Sequence, residues 1–338
     1  LMSYKQMTGN IISATKVEPD GVLISSAASG VWSLQEQYDY VRGGNWPNQA
    51  NQIPVAVFGG GYNKLNVIEF ITITTTGNAQ DFGDLTAGRT YLSGTGSSAT
   101  RAVWGGGTAS SGKVNTIDYI TIQTAGNAQD FGDLTQSVHA NAGCSNSTRV
   151  CFAGGYVSSS SNVIDYITIG STGNAQDFGD LTVARQITDA GCASSTRGIY
   201  FGGSGNTDVI DYITIGSTGN ATDFGNLSGN RSSIMACSSA TRGVAQGGGD
   251  GTNVVEFITI ATTSNVTDFG DLTVARYDGA GTSSSTRGIC YGGTDAADNN
   301  NVIDYITIAS TGNSTDFGDC VGERASLGGT SAAHGGLQ

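Results

Sequence analysis

A phrase that recurs six times constrains the fold of this chain more than any other feature. It reads NVIDYITI with small changes, and its copies begin at Asn66, Asn115, Asn162, Asp208, Asn253 and Asn301. The steps between copies are 49, 47, 46, 45 and 48 residues. Repeats of about 40 to 50 residues are typical of β-propellers, in which each repeat forms one blade. The spacing therefore predicts six blades.

Each copy divides into four short strands. In the copy from Ala190 to Ser228, we expect strand a at about Asp189–Ser195, strand b at Gly198–Gly202, strand c at Val209–Ile215 and strand d at Thr222–Leu227. Apolar residues of strand c fall on both faces, which is typical of a strand covered on both sides. Radially packed blades provide that cover, since no helical pattern separates the repeats.

The two ends of the repeat region complement each other. The first repeat lacks strand a but has strand b, at Ile53–Gly61, and the last repeat ends after a copy of strand a at about Ala325–Ala332. Pairing these two strands would close the ring and protect the sheet edges. We therefore predict an all-β, six-bladed propeller at residues 51–338, closed by one blade that both ends share.

Composition limits the classes of function. The 338 residues include 52 Gly and 3 Pro, 13% are charged, and the net charge is −13. An acidic surface repels phosphate backbones, which argues against a nucleic-acid partner. No apolar stretch reaches the roughly 20 residues of a membrane span, and we expect no membrane insertion. The first residues do not form a basic and then apolar signal peptide.

The phrase DFGDLT begins at Asp81 and returns with small changes in every repeat. Its first three letters match the metal-binding motif of protein kinases, but a catalytic motif is needed once. The chain also has no His-Arg-Asp loop. We interpret the phrase as strand d, in which Gly83 permits a bulge or close backbone approach, and Asp81 and Asp84 favour turns. Calcium binding by these Asp pairs is the alternative.

Other reactive side chains also follow the repeat. The six cysteines fall at recurring positions, so we expect buried thiols rather than disulfides. With only His139 and His334 in the chain, we expect no metal centre, no cofactor and no catalytic residues. Ten Arg and the six acids of strand c recur as well. We expect bonds within or between blades, with ligand binding as the alternative.

The repeat resembles the kelch repeat. The matching residues are GIYFGG at Gly198–Gly203, VIDYITI at Val209–Ile215, and Arg231. The resemblance extends from about Ile53 to the C-terminus, although the usual Trp after strand c is missing. It implies a propeller fold, whereas kelch propellers serve many functions.

The first fifty residues lie outside the repeat, and we predict a separate segment at residues 1–50. Alternation around Pro19-Asp20-Gly21 predicts a hairpin, and Ser33-x-x-Glu36 predicts the start of a short helix. This segment either caps the propeller, ties it to a larger assembly, or is a packed extension without a partner.

The segment Gly30–Pro47, followed by repeats rich in Gly, Ser, Thr and Asn, resembles structural and tail-fibre proteins of bacteriophages, especially marine and cyanobacterial ones. This resemblance implies a non-enzymatic protein of the virion surface, an extracellular particle. It also implies that residues 1–50 contact other virion proteins, that the chain forms a homo-oligomer there, and that the propeller meets the host surface.

Variation between the repeats is concentrated in the b–c and d–a loops, which emerge on one face of a propeller. Loops on a rigid scaffold commonly carry recognition. We expect that face to bind a host glycan or protein as a receptor-binding module. The candidate binding residues are Tyr62, Lys64, Tyr91, Lys113, His139, Tyr156, Asp278 and Asp295. An architectural virion subunit and a glycan-active enzyme are the alternatives.

Overall fold

The computed structural model describes residues 54–338, apart from Asn206, Asp250, Ala296, Gln338 and the side chain of Thr95. The chain divides into two units, Leu1–Ile53 and Pro54–Gln338. The predicted hairpin, helix and attachment role of residues 1–50 lie outside the described residues.

Six four-stranded antiparallel sheets form the six blades of a β-propeller, as the sequence predicts. From the axis outward, blade 1 contains β26 (Gly328–Ser331), β1 (Val55–Gly59), β2 (Val67–Thr72) and β3 (Gln80–Asp84). Blade 2 contains β4 (Ser93–Ser97), β5 (Arg101–Gly105), β8 (Thr116–Thr121) and β9 (Gln129–Asp133). Its b–c loop carries a small hairpin of β6 (Thr108–Ala109) and β7 (Gly112–Lys113).

The other four blades have the same order of four strands. Blade 3 contains β10 (Ala142–Ser145), β11 (Arg149–Ala153), β12 (Val163–Thr168) and β13 (Gln176–Asp180). Blade 4 contains β14 (Gly191–Ala193), β15 (Arg197–Phe201), β16 (Val209–Thr214) and β17 (Thr222–Asn226). Blade 5 contains β18 (Met235–Ser238), β19 (Arg242–Gln246), β20 (Val254–Thr259) and β21 (Thr267–Asp271). Blade 6 contains β22 (Ala280–Ser283), β23 (Arg287–Tyr291), β24 (Val302–Thr307) and β25 (Thr315–Asp319).

In blade 4 the predicted strands b, c and d agree with the structure to within one residue, but strand a is shorter than predicted. It spans Gly191–Ala193 rather than Asp189–Ser195. Asp189 has a left-handed backbone (φ 48°), which ends the extended conformation before the strand. After the strand, the Ser194 hydroxyl accepts a hydrogen bond from the Arg197 N–H and forms the turn.

The shared blade predicted from the two chain ends is confirmed. The last strand, β26, pairs antiparallel with β1, in a register that places Gly328 opposite Gly59 and Ser331 opposite Ala56. The indole Nε1 of Trp104 in blade 2 donates to the Gly328 carbonyl at 2.9 Å. Blade 1 therefore combines both ends of the described region, and the ring has no open junction.

Small residues close the axis. A Cβ atom at Gly94 would lie 2.2 Å from the Gly329 nitrogen, so these inner strands approach backbone to backbone. A ring of serine hydroxyls links inner strands as well: Ser97 donates to the Ser331 carbonyl at 2.6 Å, and Ser283 donates to the Ser238 carbonyl at 2.6 Å. His334, which follows β26, contacts Ser145 at the end of β10, with 3.0 Å between Nε2 and Oγ.

The blades pack through their strand-c residues. Ile68, Ile71 and Ile73 of the first repeat are all buried, and equivalent Ile and Val residues are buried in the other blades. The five Arg of the a–b turns each lie over an aromatic ring of their own strand c, for example Arg101 over Tyr119 at 4.9 Å. The same guanidinium donates to the Ile169 carbonyl of the next blade at 2.9 Å. These Arg therefore join neighbouring blades.

The acids of strand c are buried, and five of the six pair with an Arg of the preceding d–a loop. The pairs are Arg89–Asp118, Arg185–Asp211, Arg231–Glu256, Arg276–Asp304 and Arg324–Glu69. Arg89 also donates to the carbonyls of Gly106 and Thr116, which compensates for removing the guanidinium from water. The prediction that the ten repeat Arg bond within or between blades is thus confirmed.

The DFG phrase forms strand d, and its backbone binds the next blade. The Gly126 N–H donates to the Phe82 carbonyl at 2.8 Å, and the Asp84 N–H donates to Asn127 Oδ1 at 3.1 Å. A Cβ atom at Gly83 would lie 2.5 Å from the Gly126 carbonyl oxygen. The prediction of close backbone approach at Gly83 is confirmed, and the Asp84 N–H binds the next blade. The turn role expected of the Asp81 and Asp84 side chains stays a prediction. Each c–d turn covers the outer edge of the preceding blade.

All six cysteines are free and buried, as expected. They lie at Cys144, Cys151, Cys192, Cys237, Cys290 and Cys320. Five of them lie on the two inner strands of their blades, and Cys320 follows the outer strand β25. The Cys144 sulfur, for example, contacts the Tyr200 hydroxyl at 3.2 Å.

Because neighbouring strands are antiparallel, the connections alternate between two faces of the ring. The loop face carries the b–c loops (residues 60–66, 106–115, 154–162, 202–208, 247–253 and 292–301) and the d–a loops (residues 85–92, 134–141, 181–190, 227–234, 272–279 and 320–327). The turn face carries the a–b turns and the c–d turns.

Candidate functional site

The d–a loops surround the axis on the loop face. In every one of them, a residue just before strand a has a positive φ of about 48 to 55°, at Tyr91, Ala140, Asp189, Ser233, Asp278 and Ser326. The backbone joins most of them in a ring: Tyr91 N–H donates to Ser326 O at 2.8 Å, and Ser326 N–H donates to Asp278 O at 2.6 Å. Left-handed backbone at non-glycine residues is uncommon and persists where surrounding bonds hold it. This ring gives the axial end of the loop face a fixed shape.

A pocket of about 330 Å³ opens at this end of the axis. It is lined by Tyr91, His139, Ala140, Gln186, Thr188, Ser204, Ser232, Ser233 and Asp278. The lining comes from d–a loops of several blades and from one b–c loop, so only the closed ring assembles it. Hydroxyl and amide groups predominate, with two aromatic rings and one carboxyl group.

Asp189, next to Thr188, fixes the inner strands at the axis. It is fully buried, and its two carboxyl oxygens accept hydrogen bonds from the Gly94 N–H (3.1 Å) and the Gly281 N–H (2.9 Å). Burial raises the pKa of Asp189 well above its ordinary value, and these backbone donors offset only part of the rise. Both oxygens are engaged, so the role of Asp189 is to hold blades 2, 4 and 6 together.

Asp278 differs from Asp189 because its carboxyl group is only partly engaged. Its Oδ1 atom is buried and has no hydrogen-bond partner among the residues that the structure describes. Burial raises the pKa of Asp278, and the nearby hydroxyls of Ser233 and Tyr91 lower it in part. The residue is half-buried and lines the pocket.

Beside the pocket, an aromatic row runs outward over blades 2 and 3. It consists of Tyr91, His139 and Tyr156, with ring centroids 6.0 Å apart for the first pair and 5.6 Å for the second. The Lys113 ammonium lies 4.8 Å from the Tyr156 ring centroid at the outer end. His139 Nδ1 lies 2.7 Å from the Thr108 hydroxyl, which fixes the imidazole. Burial, followed by the charge of Lys113, lowers the pKa of His139.

The structure thus brings together five of the eight residues predicted to bind. Tyr91, His139 and Asp278 line the pocket, and Lys113 and Tyr156 extend the row. The remaining three lie elsewhere on the loop face. Tyr62 and Lys64 lie in the b–c loop of blade 1, where Tyr62 is 53% exposed. Asp295 lies in the b–c loop of blade 6, where its carboxylate accepts from the N–H groups of Ala297 and Asp298. Those bonds lower the pKa of Asp295 and use the carboxylate to shape its own loop.

Sequence reasoning missed Gln186, Thr188, Ser204, Ser232 and Ser233, which also line the pocket. These are small polar residues in a chain rich in them, so composition gave no signal. Their position relative to strand a could have identified some of the pocket residues. Ser233 and Ala140 precede strand a by the same distance as Tyr91 and Asp278, and that distance marks residues that meet at the axis.

Two further clefts lie at the c–d turns. One, of about 350 Å³, adjoins Tyr119 and Arg101, and another, of about 290 Å³, adjoins Phe70. They occupy the same position on two blades, and the Arg101 guanidinium is already bonded to Ile169 O. These clefts follow from the repeat and have no blade-specific chemistry, so the axial pocket is the better candidate.

Within the part of the chain that the structure describes, no group of three or more His, Cys, Asp or Glu side chains is placed to hold a metal ion. In the same part, no helix is long and apolar enough to cross a membrane.

No protein-family model matches the chain, and no curated protein matches it significantly in sequence. The kelch and bacteriophage resemblances therefore remain sequence-based predictions, and the function has to be argued from the site.

Proposed function

We propose that this chain is a non-enzymatic recognition module of a bacteriophage virion surface, in a tail fibre or similar receptor-binding protein, and that its loop face binds the host. One observation carries the proposal: the two faces of the ring are built differently. The turn face repeats the same interblade bonds in every blade. The loop face places different side chains on each blade around an axial pocket.

The pocket chemistry favours binding over hydrolysis. Most glycoside hydrolases use two carboxyl groups on either side of the bond that is cleaved. Among the described residues that line the pocket, Asp278 has the one carboxyl group. Asp189, nearby, has both oxygens engaged by backbone N–H groups. This arrangement supports recognition without turnover.

The virion setting rests on the resemblance of Gly30–Pro47 and the repeats to phage structural proteins. In this proposal, residues 1–50 attach the propeller to other virion proteins, and several copies of the chain present their loop faces together. Several copies would raise the avidity for a repetitive host surface without any new contact.

Binding of the fluorescently labelled full chain to a panel of cyanobacterial strains tests the proposal. We expect binding to some strains, a loss of at least about tenfold in Tyr156→Ala, and unchanged binding in the turn-face control Thr218→Ala. Thr218 is exposed in a c–d turn, so its replacement changes the turn face alone. Equal loss in both variants, or no binding to any strain, would contradict it. Antibodies that find the loop face buried in intact virions would favour an architectural subunit instead.

A further inference from the structure

The axial pocket and the aromatic row together have a chemistry that one class of ligand matches. We propose that the pocket binds the terminal unit of an uncharged saccharide, and that the aromatic row carries the units that follow it. This inference rests on the proposed function and names the ligand of the same face.

The polar groups of the pocket match a polyol. Side chains of Gln186, Thr188 and Ser232 each offer a hydrogen-bond donor and an acceptor. The Ser204 oxygen accepts from the Gln186 N–H at 3.1 Å, which leaves its O–H free to donate to a ligand. A sugar hydroxyl both donates and accepts, so a ring of hydroxyls can pair with such a lining from several directions.

The charge in the pocket selects against acids. No Lys or Arg is among the described residues that line it, and Asp278 supplies the one carboxyl group of that lining. A carboxylate or phosphate would lose its hydration in this partly buried site without gaining a cation as a partner. Uncharged sugars are therefore preferred over uronic acids, sialic acids and phosphorylated sugars.

The size of the pocket and the position of the aromatic row together indicate that the ligand is the end of a saccharide chain. At about 330 Å³, the pocket is at the small end of the range for ligand sites, roughly 300–1,000 Å³, which suits a single sugar unit. Tyr91 and His139 belong to both the pocket and the row. Aromatic faces pack against the C–H face of a sugar ring and bury it. Rings spaced 5.6 to 6.0 Å apart thus continue the path of a saccharide outward from the pocket.

Titration calorimetry on the full chain tests this inference. The probes are the methyl glycosides of glucose, galactose, mannose and N-acetylglucosamine, their neutral trisaccharides, and glucuronic and N-acetylneuraminic acids. We expect at least one neutral sugar to bind, its trisaccharide to bind at least about fivefold more tightly, and the acids not to bind. Preference for an acidic sugar, or no binding of any neutral one, would overturn the inference.

Variants locate the site. Asp278→Gly removes both oxygens while keeping the left-handed backbone at φ 54°, which glycine adopts freely. We expect it to weaken sugar binding at least about tenfold, and Tyr91→Ala and His139→Ala to remove the trisaccharide advantage. The control Asp223→Asn, an exposed acid on the outer strand of blade 4, should bind like the wild type. Asp278→Asn provides a second variant if the glycine form does not fold.

The two proposals fail in different ways. If the wild type binds cells, but Asp278→Gly binds them equally well and no neutral sugar competes, the saccharide inference is wrong and the recognition function stands. If the wild type binds no cells, the recognition function is wrong.

Discussion

At the scale of single residues, one blade departs from a pattern that the others share. Asp165 is buried like the other strand-c acids, but Val138 occupies the position of its expected Arg partner. Two hydrogen bonds from Thr135 remain, from its N–H (2.9 Å) and its hydroxyl (2.8 Å). Burial raises the pKa of Asp165, and these bonds offset only part of the rise. Among the described residues Asp165 has no cationic partner, so blade 3 provides a comparison for the five blades that have an Arg–acid pair.

This difference gives a matched pair of variants. Asp211→Asn leaves Arg185 buried without its partner, and we expect a loss of about 3–5 kcal/mol of unfolding free energy at pH 7. Asp165→Asn removes a charge that has no cation, and we expect a change within about 1 kcal/mol. Urea unfolding of both variants measures this. Equal losses would contradict the account of the buried pairs.

His334 is a second informative residue. It is fully buried against Ser145, and burial lowers its pKa to about 4. The unfolded imidazole takes up a proton near pH 6.5, so between pH 6.5 and 4 the unfolded state binds more protons. The His334 contribution is therefore present above pH 6.5 and is lost as the pH falls towards 4. Asp189 and Asp278, whose pKa values are raised, act in the opposite direction, since their contribution is lost as the pH rises.

Comparing the unfolding free energies of the wild type and His334→Gln isolates the contribution of His334. We expect the unfolding free energy of the wild type minus that of His334→Gln to fall by about 3 kcal/mol between pH 7 and pH 4. Between pH 7 and 8.5 the difference should stay constant. Urea titrations at these pH values measure it, and a difference that is flat from pH 7 to 4 would mean that His334 is exposed in the folded protein.

At the scale of elements, strand d and the c–d turn of the next blade form the outer junction. Gly179 illustrates it: φ is +146°, and an added Cβ would lie 2.6 Å from the Gly219 carbonyl. Gly216, in the same turn region, has open space around its Cβ position. The structure therefore requires glycine at position 179 but not at position 216.

We expect Gly179→Ala to cost at least about 2 kcal/mol, because strain at such a φ is about 1–3 kcal/mol and the clash adds to it. Gly216→Ala should change stability by less than about 1 kcal/mol. Gly219→Ala tests strain without a clash, since φ is +151° and nothing lies near its Cβ position. Its loss should be intermediate. Thermal unfolding distinguishes the three, and a neutral Gly179→Ala would contradict the proposed junction.

The strands could be predicted because the sequence contains each of them six times. Strands b, c and d, the shared blade and the role of Gly83 all follow from that redundancy. Strand a of blade 4 was less predictable, because Asp189 leaves the extended conformation to bind Gly94 and Gly281 across the axis. Such a contact joins residues about ninety positions apart, and one blade viewed alone does not contain it.

The site was predictable only in part, for the same reason. Variation identified the loop face, and five predicted residues meet there. Their meeting depends on left-handed backbone in the d–a loops, which non-glycine residues such as Tyr91 do not reveal in a sequence. Tyr62 and Asp295 vary as much between blades but lie away from the axis.

At the scale of the whole molecule, stability depends on closing the ring. Deleting residues 325–338 removes β26, exposes the edge of β1 and removes the Trp104–Gly328 bond. We expect this deletion to give aggregated protein, because an unpaired apolar edge is a template for association. Deleting only residues 332–338 keeps β26 but removes His334, and should give folded protein that melts earlier. A soluble 325–338 deletion with an unchanged melting temperature would rule out the shared blade.

We propose that the loop face recognises a ligand and that the turn face supports it. Hydrogen–deuterium exchange of the full chain, with and without envelope polysaccharide from a strain that it binds, tests this claim most directly. We predict slower exchange in the d–a loops at residues 85–92, 134–141 and 272–279. We predict no change in the c–d turns at residues 169–175 and 215–221. Slower exchange confined to the c–d turns would contradict the claim.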